Sequence, residues 1–286
     1  MQKIVGRFCK LFLGISLLLP GIATSAATDM PNALSLGVFP YFDATTLAKL
    51  HKPLKQHLSN ASGQPIRMVT APSFSAFKQR TAQARYDIIV TAPHLGRMAE
   101  KEAGYEWLAF TSNQSRAIFL THERTGIETI ADLKGTTLAL PPKPAIIHQL
   151  ALTQLEKHAL RPHTDVTIRP RRSHSDALYM VIRGVTDAAA VGGPTWNRYA
   201  APEKAQLKKI GESGPIPGFA IMVHPRIASQ IRTALREALF EFPGTAPGES
   251  YFDSTGLEGI RKPENADFEL LDHYLAKIAE AGKAGD

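Results

Sequence analysis

Two polar residues follow a buried apolar run in the first third of the chain. Thr91 and His94 come directly after Ile88-Ile89-Val90 and just before a helix that we expect from Leu95 to Ala103. A threonine there either caps the helix or offers its hydroxyl to a ligand, and an imidazole can donate a hydrogen bond or carry charge near neutral pH. Because the first turn of a helix has free amides and a partial positive charge, this arrangement favours an anion.

A second group of reactive residue types is Ser173-His174-Ser175-Asp176. A nucleophilic serine needs a base and an orienting carboxylate within reach, and adjacent positions at the start of one helix cannot face one another in that way. The sequence also lacks G-x-S-x-G, phosphate-loop and H-E-x-x-H patterns. We therefore predict no catalytic residues and a protein that is not an enzyme.

Ten histidines raise the alternative of a metal site, with His94, His148 and His174 as residues that would have to approach one cleft. No two histidines form an H-x-H pair, and the only cysteine, Cys9, lies near the N-terminus. Exposed histidines without a metal role explain this pattern better. We predict neither metal ligands nor a cofactor.

Strand-like and helix-like segments alternate along most of the chain. Leu34 to Phe39, Ile66 to Thr70 and Tyr86 to Val90 predict strands, and Thr45 to Ser59 has leucines at helical spacing. Such alternation implies βαβ crossovers and mainly parallel sheets, which bind ligands beyond the carboxyl ends of their strands. The segments at those ends are Tyr41-Phe42, Thr70 to Phe74, Thr91 to His94, Pro141 to Ala145, Ser173-His174 and Gly192 to Trp196.

The first 27 residues predict a secretory signal peptide. Basic residues precede a short apolar run from Leu11 to Leu19, and small residues follow up to Ala27. The run is too short to span a bilayer as a helix. Because Cys9 precedes this run, it is not a lipid-anchor cysteine. We expect export to the periplasm of a soluble protein without an anchor.

The remaining chain of about 260 residues suits two domains. Its net charge is +4 instead of +7, because the first 27 residues hold three basic and no acidic side chains. The bases are scattered, which argues against a nucleic-acid surface. We expect a monomer whose partner is a small molecule.

Several local patterns then occur in an order that resembles one protein family. They are Phe39-Pro40-Tyr41-Phe42, Thr91-Ala92-Pro93-His94, the I-E-T-I-A-D-L-K-G segment from Ile127 to Gly135, Ser173 to Leu178, and Gly184 to Val191. Together they resemble the phosphate/phosphite/phosphonate-binding branch of ABC-transporter periplasmic substrate-binding proteins. The similarity covers roughly Leu34 to Val223.

This resemblance implies an α/β, two-lobed type II periplasmic-binding-protein (Venus flytrap) fold, each lobe a mainly parallel sheet flanked by helices. Lobe 1 would hold residues 33–118 and 217–286, and lobe 2 residues 119–216. The implied function is capture of a small ligand, an oxyanion of the phosphonate or phosphate type, in the interlobe cleft for delivery to an ABC permease. Closure about a hinge is the usual mechanism of such architectures.

The resemblance also assigns cleft positions. Tyr41 would form an aromatic wall, and His174 would begin a cleft helix. Trp196 departs from the family, which commonly has polar or acidic residues there; its ring would supply a flat apolar wall, with helix packing as the alternative. The predicted ligand-binding set is Tyr41, Thr91, His94, Lys143, His174 and Trp196.

One segment departs from the family pattern. Phosphonate-binding members carry a Ser-Thr-Ser-Gly-type turn where this sequence has Pro141-Pro142-Lys143-Pro144. Three prolines remove three amide donors, and Lys143 supplies one point charge in their place. A different oxyanion, a larger or more apolar solute, or a periplasmic sensor that docks on a membrane sensor kinase therefore remains as an alternative.

Overall fold

The structure, a computed structural model, describes residues 33–199 and 201–283. The strands in these ranges are β1 (Leu34–Val38), β2 (Ile66–Val69), β3 (Ile88–Thr91), β4 (Glu106–Thr111), β5 (Ala117–His122), β6 (Thr137–Leu140), β7 (Thr167–Pro170), β8 (Ala188–Gly192), β9 (Leu207–Glu212), β10 (Ala220–Val223) and β11 (Ile260–Arg261). The helices are α1 (Ala44–Leu50), α2 (Lys52–Ser62), α3 (Phe74–Ala82), α4 (Pro93–Ala103), α5 (Ile146–Lys157), α6 (His174–Ile182), α7 (Gly193–Arg198), α8 (Ala201–Lys204), α9 (Ser229–Glu241), α10 (Ala246–Thr255) and α11 (Asn265–Lys283). The predicted signal peptide lies outside the described residues.

The strands form two sheets. The first has the order β11-β4-β10-β3-β1-β2, and the second has the order β7-β6-β8-β5-β9. The central strands are apolar and buried on both faces: β3 and β10 in the first sheet and β8 in the second are buried at every residue. Helices cover both sheets, which explains why these strands read as continuous apolar runs.

Each sheet is mixed, which corrects the prediction of mainly parallel sheets. In the first, β1 pairs in parallel with β2 and β3, whereas β10 runs antiparallel to β3 and β4. In the second, β6 pairs in parallel with β7 and β8, whereas β5 runs antiparallel to β8 and β9. The antiparallel strands β5 and β10 are the ones that the chain enters directly after crossing from one sheet to the other. The alternation of strand-like and helix-like segments in the sequence does not indicate where the chain crosses from one sheet to the other.

The two crossings lie side by side. Residues 112–116 lead from the first sheet to the second, and residues 213–219 lead back. Ser115 and Ile216 pair in an antiparallel bridge, with both amide-to-carbonyl distances at 2.9 Å. The connection between the sheets is therefore a two-stranded, hydrogen-bonded segment.

The predicted helix from Thr45 to Ser59 is two helices, α1 and α2, that meet at His51. Pro53 lies in the first turn of α2. It has no amide to donate and its ring conflicts with the carbonyl four residues earlier, so one continuous helix is not possible. The side chain of His51, at this break, is fully buried.

The C-terminal helix α11 contacts the elements of both sheets. Asp272 accepts hydrogen bonds from Arg97 of α4 at 2.8 and 2.9 Å. Leu270, Tyr274 and Ile278 pack against the apolar core of the second sheet. Within the described ranges, no helix combines the length and apolar character needed to cross a membrane.

Candidate ligand-binding site

A narrow cavity of about 40 Å³ lies between the two sheets. The first sheet and its helices supply one wall, mainly through Phe39, Tyr41, Phe74 and Phe219. The second sheet supplies the other wall through residues at the starts of α5, α6 and α7. Ser115, on one of the crossings, closes the end near the connection.

The cavity lies where helices begin. Ala92, the residue before α4, and Ala145, the residue before α5, both line it, and neither helix has a side chain that caps its first amides. Uncapped first-turn amides that approach a cavity from opposite sheets provide donors and partial positive charge for an anion. Among residues 33–199 and 201–283, no Asp, Glu, Lys or Arg lines the cavity. An anion would therefore be held by neutral dipoles.

Tyr41 lines the cavity with its ring, as predicted from the family resemblance. Its hydroxyl group is joined to His51 Nε2 by a hydrogen bond of 2.8 Å, and Tyr251 approaches the other ring nitrogen at 3.3 Å. Burial raises the pKa of Tyr41 and lowers the pKa of His51 to about 3. The hydroxyl is thus engaged inside the first-sheet core, and a ligand in the cavity meets the aromatic face.

His174 also lines the cavity, at the first residue of α6. The Gly192 amide donates to His174 Nδ1 at 3.2 Å. Burial lowers the pKa of His174 to about 4, so the ring is neutral at pH 7. Since Nδ1 accepts, the neutral ring carries its proton on Nε2, which makes the ring a fixed donor.

His94 lies in the first turn of α4 and makes a direct contact between the two halves of the molecule. Its Nε2 donates to the carbonyl oxygen of Pro144 at 2.9 Å. Burial lowers its pKa to about 4, and Nδ1 is buried with no hydrogen-bond partner among the described residues. His94 therefore bonds the Pro141–Ala145 loop directly.

Thr91 ends β3 directly before the cavity residues Ala92 and Pro93. The side chain is fully buried, and its Oγ1 has no partner among the described residues. It does not cap α4, because the capping position is Ala92. A buried hydroxyl without a partner costs free energy that a ligand could return by bonding to it.

The proline-rich loop 141–145 points carbonyls, not donors, at its neighbours. His148 Nδ1 donates to the Pro141 carbonyl at 2.8 Å, and His94 bonds the Pro144 carbonyl. The exposed Lys143 lies outside the cavity, in an open groove beside it. The loop therefore holds the two halves together and places its charge at the entrance.

Trp196 lies outside the cavity lining. It packs, partly buried, against the second-sheet cluster that includes Leu178 and Val181, and the Lys204 ammonium lies 4.4 Å from its ring centre. This position agrees with the helix-packing alternative for Trp196. Its neighbour Thr195 lines the cavity instead.

Sequence reasoning missed most of the apolar lining. Phe74 is 4 % exposed and lines the cavity, although it is not in the predicted ligand-binding set. The further lining residues without a predicted role include Phe39, Phe219, Ile146, Ile147 and Gly192. Position at strand ends could have indicated Phe74 and Gly192, but Phe219 reaches the cavity only because β10 pairs antiparallel with β3.

The two mixed sheets, the paired crossings and the cavity between them define a type II periplasmic-binding-protein fold. Solved structures with this fold align along most of the chain. A binding-protein component of an ABC phosphonate transporter from Pseudomonas aeruginosa aligns with a TM-score of 0.76 at 15 % identity, covering 89 % of each chain. PhnD1 from Prochlorococcus marinus, solved in complex with methylphosphonate, gives 0.77 at 13 % identity, covering 87 % of this chain and 99 % of that one.

A third structure, the aliphatic sulphonate binding protein SsuA from Escherichia coli, aligns with a TM-score of 0.60 at 20 % identity, covering 89 % of this chain and 94 % of that chain. The sequence itself matches a family described as "ABC transporter, phosphonate, periplasmic substrate-binding protein" over residues 36–268. The chain belongs to this family of substrate-binding transport proteins. The predictions of the family, of the type II periplasmic-binding-protein fold apart from its mainly parallel sheets, of the solute-binding function and of a protein that is not an enzyme are confirmed.

Proposed function

We propose that the protein binds a phosphonate-type oxyanion in the cavity between its two lobes, the halves built on the first and second sheets. The observation that carries this proposal is the cavity between the uncapped starts of α4 and α5, beside the neutral donor His174. Fixed amides and a neutral imidazole can hold phosphoryl oxygens without a cation. The methylphosphonate complex of PhnD1 supports the same ligand class.

In this proposal, donors on other elements take the place of the hydroxyl-rich turn, one of them on Thr91, directly before the lining residue Ala92 and not itself in the cavity lining. The buried Thr91 hydroxyl precedes Ala92, and His174 Nε2–H remains available at the start of α6. Three aromatic rings, Phe39, Phe74 and Phe219, surround the remaining space. We infer that oxygens bind toward the helix starts and that the organic substituent lies against the rings.

Closure would couple binding to transport. The crossings at Ser115 and Ile216 form the hinge in this proposal, and residues 33–118 with 217–286 move against 119–216. The His94–Pro144 hydrogen bond joins the lobes in the closed form. A ligand favours that form only through contacts to both lobes, so His174 and the start of α5 determine closure once the ligand has bound to the first lobe.

In this proposal the signal peptide is cleaved near Ala27, and the mature protein is a monomer in the periplasm. With ligand bound and its lobes closed, it docks on a membrane permease. The family description supports an ABC-transporter role. A sensor kinase as the docking partner, with phosphonate specificity lost, is not favoured by the family match.

Calorimetric titration of residues 28–286 with methylphosphonate, phosphate and sulfate tests the ligand class. His174→Asn keeps an acceptor near the Nδ1 position and removes the Nε2–H donor. We expect it to weaken methylphosphonate by about 1–3 kcal/mol, whereas His158→Asn, at an exposed histidine that ends α5, leaves the affinity unchanged. Tight binding of sulfate alone, or no effect of His174→Asn, would contradict the proposal.

A further inference from the structure

A second, wider opening lies immediately outside the cavity and carries charges that the cavity lacks. We call it the basic groove; its volume is about 800 Å³. Its cations are Lys143, Arg171 and Arg172, all from the second lobe. The first lobe contributes the start of α3, from Pro72 to Ser75. Both lobes therefore form this groove, as they form the cavity.

The two arginines are held by one carboxylate. Asp176 Oδ1 accepts from Arg171 Nη2 at 3.3 Å, and Asp176 Oδ2 lies 3.7 Å from Arg172 Nε. Although burial opposes it, hydrogen bonds from the Arg172 amide and the Arg171 guanidinium hold the pKa of Asp176 below its ordinary value. One ionised carboxylate thus pairs with both arginines, and with Lys143 in addition the groove keeps an excess of positive charge.

One donor in the groove has no acceptor. The Nε of Arg171 is buried and has no hydrogen-bond partner among the described residues. The Arg172 side chain is 93 % exposed, and Lys143 pairs with none of the carboxylates that the structure describes. An arginine with an unused donor beside two accessible cations matches an oxyanion such as a carboxylate or phosphate.

The groove adjoins the cavity along three chain segments. Phe74 lines both spaces. Lys143 in the groove is two residues from Ala145 in the cavity, and Arg172 is two residues from His174. Two residues of extended chain span at most about 7 Å. A group bound at the helix starts and a group bound by the arginines can therefore belong to one small molecule.

We propose that the basic groove is a second anion subsite, and that the ligand is a phosphonate whose short substituent ends in another anionic group. This proposal rests on the phosphonate site described under the proposed function and names its substrate class further. The phosphonate occupies the helix starts in the cavity, the short linker passes Phe74, and the second anion meets Arg171, Arg172 and Lys143. A substituent that ends in an amine meets the same cations and is disfavoured.

Three phosphonates of similar length, which differ in the charge of the distal end, test the subsite. They are 3-phosphonopropionate, propylphosphonate and 2-aminoethylphosphonate, titrated calorimetrically into residues 28–286 at low ionic strength. We expect 3-phosphonopropionate to bind roughly tenfold more tightly than propylphosphonate and 2-aminoethylphosphonate to bind most weakly, because several partly exposed charges act together. The tenfold preference should shrink at high salt.

A double variant and a matched control test whether the groove causes the preference for the distal carboxylate. Arg171→Gln with Arg172→Gln should abolish the preference for the distal carboxylate and leave propylphosphonate affinity unchanged. Arg169→Gln is the control, since Arg169 is exposed on β7, two residues from Arg171, and does not line the groove.

The outcomes separate the two proposals. Equal affinity for the three phosphonates would overturn the second subsite and leave the phosphonate site intact. A preference that persists in the double variant, or disappears equally in Arg169→Gln, would also overturn it. Absence of binding by all three phosphonates and by methylphosphonate would overturn both proposals.

Discussion

The cavity and the basic groove meet at Phe74, yet they are built from opposite kinds of side chain. The cavity is walled by aromatic and aliphatic residues, and its imidazole, His174, is neutral because burial lowers its pKa to about 4. The groove is walled by prolines and by accessible cations such as Arg172. Short-range contacts and fixed dipoles therefore govern the cavity, whereas charge governs the groove, and only the groove should respond strongly to salt.

The largest expected difference between the regions is in their response to acid. His94 and His174, at and beside the cavity, have pKa values lowered by burial from 6.5 to about 4, and no histidine of the described residues lines the groove. For His94, burial has the largest effect on the pKa. The hydrogen bond to Pro144 raises this pKa, and the charge of Lys78 lowers it. As the pH falls, these histidines therefore become protonated in the unfolded chain before they do so in the folded protein. By about pH 4, each histidine has lowered the free energy of unfolding by on the order of 3 kcal/mol.

This stability should be fully present above about pH 6.5 and should decrease progressively as the pH falls toward 4. Urea unfolding at pH 7.5, 6.0 and 4.5 measures the slope. The double variant His94→Gln, His174→Gln should flatten the curve in this window. An equally steep curve in the double variant would show that other groups cause the acid sensitivity.

Filling the cavity should remove binding without affecting the groove. Gly192 has ordinary strand dihedrals, and a Cβ there would touch Ile147 and His174 at 3.5 and 3.6 Å, which is normal contact. Gly192→Val should place its methyl groups in the ligand space and weaken methylphosphonate roughly 10- to 100-fold, since overpacking costs about 1–3 kcal/mol. Calorimetry gives the affinity.

Gly244→Val is the control for this substitution. A Cβ at Gly244 meets nothing within 4 Å, and the residue lies in the turn after α9, outside the cavity lining. Unchanged affinity in Gly192→Val, with the fold intact by circular dichroism, would place the ligand elsewhere.

A pair of buried threonines gives a smaller and more specific test of the cavity. The Thr91 hydroxyl has no partner among the described residues, whereas the Thr121 hydroxyl donates to the Asp187 carbonyl at 2.8 Å. Thr121→Val should lose about 1–3 kcal/mol of stability by leaving that carbonyl unpaired. Thr91→Val should lose none and should weaken methylphosphonate instead. Equal destabilisation of both variants, by urea unfolding, would mean that Thr91 has a structural partner.

The smallest expected effect is that of salt on a ligand that occupies the cavity alone. Methylphosphonate meets no charged side chain there, so its Kd should change by less than about threefold between 20 and 200 mM salt beyond the general steering effect. A steep dependence would show that Lys143 or the arginines reach the phosphonate itself. The distinction between a cavity governed by fixed dipoles and a groove governed by charge would then be wrong.

Local pattern was sufficient for the strands and helices that bury apolar residues at regular spacing. The predicted strands that begin at Leu34 and Ile66 are present, and the third predicted strand corresponds to β3. Neither β4 nor α10 is predicted from the sequence, and in α10 Pro247 and Gly248 weaken the helical pattern. Their stability depends on pairing with β10 and on packing against α2 and α7, which no local pattern contains.

The sequence by itself determined the family, the α/β class and the positions at strand ends where a ligand would bind, because these depend on local periodicity and short motifs. It also indicated Tyr41 and His174, which both line the cavity. Only the tertiary structure decided that Trp196 packs on the second sheet, that Phe219 enters the cavity and that Lys143 joins Arg171 and Arg172 in one groove. These facts follow from antiparallel strand pairing and from the packing of the elements around the two sheets, which bring together residues far apart in the chain.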